Sequence, residues 1–214
     1  DGIIRSRVRA IQNAFKSAIS QFEYKGKYQL AYPIKVNQQR QVVESVRTAN
    51  PSDPVGLEVG SKPELIAVLA IHDIENGLLL CNGYKDSQYI ELALLARKLG
   101  RRSIIIVEQF YEIESILKIS EALGIEAEIG FRMKPFRVGS GRWSQSGGEE
   151  AKFGLTSFEI IQAVDLLKKH NKLHWLKLLH FHIGSQITAI AAIKRALKEA
   201  SRVFVELHKL SSRR

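Results

Sequence analysis

With 214 residues the chain is long enough for one domain with a buried core, and its composition, 45% hydrophobic and 25% charged with five prolines, is that of an ordinary globular protein. The net charge of +10 is scattered over pairs such as Lys25 and Lys27, Arg101 and Arg102, and Lys168 and Lys169, with no aromatic-interleaved basic stripe, which argues against a nucleic-acid partner. No apolar run approaches the ~20 residues of a membrane span. DGIIRSRVRA lacks the apolar stretch of a signal peptide. The single cysteine, Cys81, rules out an intrachain disulfide and points to the cytoplasm.

Helical and strand patterns then alternate along the chain. Ile4, Val8, Ile11, Phe15, Ala18 and Phe22 recur at three- and four-residue spacing, one apolar helix face. YQLAYPIKV reads as a strand over 28–36, and VGLEV as a second, over 55–59. Ser61, Pro63 and Glu64 open a helix with a Ser-x-x-Glu capping box and a proline in the first turn. GLLLCNGY predicts a strand, followed by a helix over 86–99 that Gly100 closes. SIIIVE is a β-branched strand, and Ile113, Ile116, Leu117, Ser120 and Leu123 form a helix stripe ending at Gly124. AEIGFRM predicts the next strand, and Thr156 with Glu159 caps the next helix. WLKLLHFHIGS is the last strand, and Ile190, Ile193, Leu197, Ala200, Phe204 and Leu207 lie on one face of the last helix.

Six consecutive strand–helix units with apolar strands imply a parallel sheet buried on both faces. Both an open doubly wound sheet and a (β/α)8 barrel fit that pattern. Neither a G-x-G-x-x-G after the first strand nor a G-x-x-x-x-G-K-[ST] occurs, which weakens the open nucleotide-binding sheet. The expectation is therefore an α/β fold, an incomplete TIM-type barrel of about six units, forming one domain over 1–214. Only 136–151, rich in Gly and Ser, breaks the rhythm, and it reads as a flexible loop over the active face or a disordered insertion.

Parallel α/β enzymes build their sites at the C-terminal strand ends, and chemistry-bearing residues collect there. Lys35 follows Ala31 and Pro33, where an ammonium is costly unless paired or functional. A lysine snorkelling to solvent fits the position equally well. Glu58 sits in a buried strand, beyond what the capping box explains, and belongs at the same mouth, where it could face Lys35. Arg132 adds a cation at another strand end. His180 and His182 share a face, but a metal cage would need further ligands that the remaining histidines do not offer. Ser185, after Gly184, offers a hydroxyl on a small turn suited to a phosphate. A barrel would bring Lys35, Glu58, Arg132, His182 and Ser185 together.

AYPIKVNQ and LHFHIGSQI resemble the pyridoxal-phosphate decarboxylases of the alanine-racemase-like fold. CNGYKD, SGGEEAKFGL and VELHKL look like the biosynthetic arginine decarboxylase branch, with the resemblance running from about Phe15 to Leu210. It implies decarboxylation of L-arginine to agmatine and CO2 in polyamine and spermidine biosynthesis. The alternatives are a sibling enzyme acting on diaminopimelate, lysine or ornithine, and a non-catalytic pyridoxal-phosphate-binding relative. Carried over residue by residue, Lys35 condenses with the aldehyde of pyridoxal 5'-phosphate, His182 stacks on the ring, and Ser185 binds the phosphate. Glu58 and Arg132 would lie near the phenolic side, and Lys152 would reach across a dimer. The catalytic pair is thus Lys35 and His182. The resemblance also leaves room for Mg2+ and implies a homo-oligomer, a dimer or higher. The family's glycine-rich phosphate loop and its C-terminal β-domain have no match in these residues. The expectation is therefore a partial chain that binds cofactor weakly and turns over little alone.

Overall fold

The computed structural model describes residues 2–71, 77–134, 153–184 and 187–212. The chain divides into two compact units, 1–104 and 105–214.

The first unit begins with helix α1 (Gly2–Gln21), then strand β1 (Ala31–Pro33), helix α2 (Arg40–Arg47), β2 (Gly56–Val59), α3 (Lys62–Ile71), β3 (Leu78–Cys81) and α4 (Ser87–Lys98). β1, β2 and β3 form a parallel ladder, Pro33 opposite Glu58 and Val59 opposite Cys81. Leu57, Val59, Leu79 and Cys81 are fully buried, against Leu65 and Val68 of α3 and Tyr89, Ile90 and Leu94 of α4. A satellite cluster of Val8, Val46, Ala49 and Val55 fastens α1 to α2. There the buried Gln12 amide donates to Asp53 O at 2.7 Å and accepts from Asn50 Nδ2 at 3.1 Å.

β4 (Arg102–Val107) passes from the first unit into the second, which continues with α5 (Tyr111–Leu123), β5 (Ile129–Arg132), α6 (Ser157–Lys169), β6 (Leu176–His180) and α7 (Ile190–Ser212). β4, β5 and β6 are parallel, with Val107 opposite Phe131 and Arg132 opposite His180. Ile105, Ile106, Val107, Ile129 and Phe131 are buried with Ile113, Ile116, Ala163, Leu167 and Trp175. The β-branched run thus supplies the interior of this unit, as its composition predicts. Gly124 ends α5 at φ +64°, and the Thr156 box forms in full. Thr156 N and Glu159 Oε2 lie 2.7 Å apart.

Three expectations need correction, and two features go beyond the sequence reading. The strand over 28–36 contracts to three residues, because Pro33 has no N–H for the ladder, and Ile34–Val36 turn as a 3-10 segment. Leu173–Trp175 form another 3-10 turn ahead of β6, which ends at His180, so His182 lies beyond the strand. Helix α2, whose apolar positions Val43 and Val46 are one turn apart, has no counterpart in the periodicity read above. In α3, Ser61 Oγ accepts from Glu64 N at 3.4 Å, but Glu64 Oε2 reaches Gly60 N (2.7 Å), one residue before the residue that a capping box would use. Finally, the end-helix stripes are only partly covered. Val8, Ala200 and Leu207 are buried, whereas Ile11, Phe15, Phe22, Ile190, Ile193, Leu197 and Phe204 are exposed. The segment 136–151, Lys152 and Ser185 lie outside the described residues.

Candidate active site

In the first unit, Lys35 follows directly on the C-terminal end of β1 and is exposed. The turn that carries it is closed by Asn37. Its Oδ1 accepts from Gln39 N at 3.0 Å, and its carbonyl accepts from the Tyr32 hydroxyl at 3.3 Å. That accounts for the polar residues directly after an apolar run: Asn37 turns the chain into α2. Glu58 is half-buried on β2, opposite Pro33, so it flanks the strand end from which Lys35 departs. Among the described residues no ion pair joins the two.

CNGYKD builds the neighbouring β3–α4 turn. The Tyr89 hydroxyl donates to Asn82 O (2.9 Å) and Val59 O (3.2 Å), and the buried Lys85 ammonium donates to Gly83 O at 2.6 Å. Asp86 caps α4 by accepting from Tyr89 N at 2.9 Å, and it pairs with Lys62 at 2.5 Å. That Lys62 hydrogen bond, with the cap, holds the Asp86 carboxyl below its ordinary value. Gly83 has φ +81°, and a Cβ there would stand 2.1 Å from Gly60 O, so two backbones touch at this strand end. Cys81 lies fully buried, 3.5 Å from Ser103 Oγ, and burial pushes its thiol up to about 11. It is a packing residue, not a nucleophile.

In the second unit, Arg132 ends β5, and its Nη1 donates to Glu108 Oε1 at 2.8 Å. Glu108 follows the last residue of β4 and is buried. Its backbone N donates to Glu112 Oε2 (2.8 Å), and its backbone O accepts from Gly154 N (3.0 Å). Leu155 N in turn donates to Arg132 O at 2.7 Å. Residues 154 and 155 are thereby hydrogen-bonded at both strand ends. His182 is exposed two residues past His180, which is Arg132's partner in the β5–β6 register. Gly184 adopts φ +108° ahead of Ser185. Sequence reasoning named Arg132 and His182 but missed Glu108 and Glu112. The only available signal was the pair of acids four apart in VEQFYE, which also describes a plain helix start.

A cavity of about 650 Å3 opens on the N-terminal side of β5 and β6, lined in part by Leu117, Ile125, Leu166 and Trp175. Beside it Glu126 accepts from Lys172, from the Trp175 indole, and from His174 at 3.0 Å. These bonds, Lys172's foremost, pull its carboxyl down to about 2. The cluster satisfies itself and sits at the opposite strand ends from Arg132 and His182. Among the described residues no group of three or more His, Cys, Asp or Glu could hold a metal ion, and no helix is long and apolar enough to cross a membrane.

Comparison with known proteins follows this geometry. The family described as pyridoxal-dependent decarboxylase, pyridoxal binding domain, matches residues 4–213. The biosynthetic arginine decarboxylase of Phocaeicola vulgatus is 48% identical over 206 residues, covering 96% of this chain and 33% of that protein. That of Citrifermentans bemidjiense is 49% identical over 208 residues, 97% of this chain and 33% of that protein. The chain therefore spans about a third of the length of these curated relatives. Among solved structures, the biosynthetic arginine decarboxylase of Campylobacter jejuni aligns with TM-score 0.87 and 34% identity, over 98% of this chain and 33% of that one. A Helicobacter pylori diaminopimelate decarboxylase in complex with L-lysine aligns with TM-score 0.71 and 26% identity, over 91% of this chain and 48% of that one. The fold class read from the sequence, α/β with six units of the TIM-type barrel, agrees with this likeness.

Proposed function

The chain belongs to the pyridoxal-dependent decarboxylases, through their pyridoxal-binding domain, and from that premise we propose that it is the cofactor-binding part of an arginine decarboxylase that converts L-arginine to agmatine and CO2. The observation that carries the substrate is the name shared by relatives 46–49% identical over nearly the whole chain, biosynthetic arginine decarboxylase. The reaction belongs in polyamine synthesis, in the cytoplasm and in a homo-oligomer. A lone cysteine buried as a thiol fits a reducing compartment.

The residues fit pyridoxal phosphate by their chemistry. Lys35 offers an accessible primary amine on a short, closed turn. Arg132 offers a guanidinium with one N–H fixed on Glu108, leaving other donors for an anionic oxygen. When bound, the cofactor supplies an aldehyde for that amine and a ring that accepts the electron pair left by departing CO2. Lys35 would hold the cofactor through its amine. His182 would offer a flat imidazole for the ring, and Ser185 a hydroxyl for the phosphate. Glu58 would offer a carboxylate, and Arg132 a guanidinium, to the phenolic side.

Reduction with borohydride in the presence of pyridoxal phosphate, followed by peptide mass mapping, tests the first role. The expected product carries a pyridoxyl group on Lys35, and Lys35→Ala carries none at that position. A label spread over surface lysines would sink the assignment. Assay of the whole protein with arginine, diaminopimelate, ornithine and lysine then decides the substrate, with agmatine as the expected product.

A further inference from the structure

Glu108 has no part in the reading above except as the partner of Arg132, yet both its side chain and its main chain are tied down. Its side chain is 1% exposed, while that of Arg132 is 21% exposed. The pair is therefore oriented, with the carboxylate at its buried end and the guanidinium at its open end. Its main chain is fixed on both sides, by Glu112 Oε2 at N and by Gly154 N at O. Glu112 is itself 0% exposed, and its Oε2 also accepts from Gln109 N at 3.4 Å, so the whole β4–α5 turn is locked before Glu108 meets Arg132. Among the described residues Glu108 is the one hydrogen-bond partner of the Arg132 side chain. A guanidinium carries five N–H donors in a rigid plane, so fixing one edge fixes the direction of the rest. Burying an ion pair costs desolvation that an apolar pair would avoid, so packing alone is a poor reason for this arrangement.

We infer that Glu108 is a positioning residue that holds the Arg132 guanidinium so that its open edge faces an anionic oxygen of the bound ligand. This rests on the pyridoxal-phosphate reading above for the ligand, but not for the positioning. The anionic oxygen is the phenolate of that cofactor. Glu112 acts one step further back, by fixing the turn that carries Glu108.

The test uses Glu108→Gln, Glu108→Asp and Arg132→Met, alone and as the Glu108→Gln/Arg132→Met double variant. Two readouts are taken. In the ligand-free chain, NMR of the arginine side chains is expected to show restricted guanidinium rotation for Arg132, lost in Glu108→Gln and partly kept in Glu108→Asp. With pyridoxal phosphate as the probe, Glu108→Gln is expected to weaken binding about tenfold, the equivalent of one charge-assisted hydrogen bond, with Glu108→Asp between the two. On the Arg132→Met background, Glu108→Gln is expected to change affinity no further. Thermal melting of each ligand-free variant separates loss of fold from loss of positioning. Freely rotating Arg132 in the unsubstituted chain would overturn the proposal. So would a Glu108→Gln variant that melts lower yet binds pyridoxal phosphate normally, or one whose effect persists without Arg132. If the whole protein bound no pyridoxal phosphate, the functional reading and the ligand clause would both fall, and the Arg132 resonances would still decide whether Glu108 holds it.

Discussion

The β2–α3 and β4–α5 turns use one backbone device for two ends. In the first, Gly60 N donates to Glu64 Oε2 at 2.7 Å; in the second, Glu108 N donates to Glu112 Oε2 at 2.8 Å. In both, an acid in the first helical turn folds back four residues onto the N–H just past the preceding strand, satisfying a backbone donor that lies outside both strand and helix. The occupant of that strand-end position differs. Gly60 has no side chain, and its carbonyl is the surface against which Gly83 lies without room for a Cβ. Glu108 has a carboxylate, and the same locked turn carries it to Arg132. The turn is thus a neutral mount: one copy serves backbone packing, the other holds a charge in place.

Four substitutions break or sharpen this comparison. The largest effect is expected for Gly83→Ala, which adds a Cβ 2.1 Å from Gly60 O at φ +81°. It should cost more than about 3 kcal/mol in urea unfolding or prevent folding altogether. A variant within about 1 kcal/mol of the parent would mean that the two backbones need not touch. Next come the mounting acids. Glu112→Ala should lose about 2 kcal/mol because the carboxylate is fully buried, and Glu64→Ala about 1 kcal/mol because Glu64 is only half-buried. Equal losses would remove burial as the distinction between the turns. The smallest effect is expected for Gly60→Ala. A Cβ there meets only Glu64 Oε2 at 3.7 Å, so unfolding should shift by less than about 1 kcal/mol in either direction.

What could be read ahead of the structure follows the range of the interactions. The six strands, though the first and last are shorter than read, and the Thr156 cap are local patterns within a few residues, and the order of the elements follows the sequence. The 3-10 turn at Ile34–Val36 was misread as strand because its apolar composition fits both, and only the end of ladder pairing at Pro33 separates them. The stripes on α1 and α7 were legible as apolar faces, but how far each is covered was not, since periodicity shows which face is apolar and not what packs on it. Glu108 was missed because its meaning lies 24 residues away, at Arg132.

The order of residues alone determined the alternation of strands and helices, the parallel class of the fold, and the candidate roles of Lys35, Arg132 and His182, because these depend on short-range periodicity and on motifs. Tertiary structure alone decided that CNGYKD is a turn-building motif, that Gly83 and Gly60 touch, and that a buried carboxylate holds Arg132 by one edge. The last two are contacts between strand ends distant in the chain, and Tyr89 ties CNGYKD to Val59 at another. Ladder register fixes such contacts, and register is a property of paired strands that no single segment encodes.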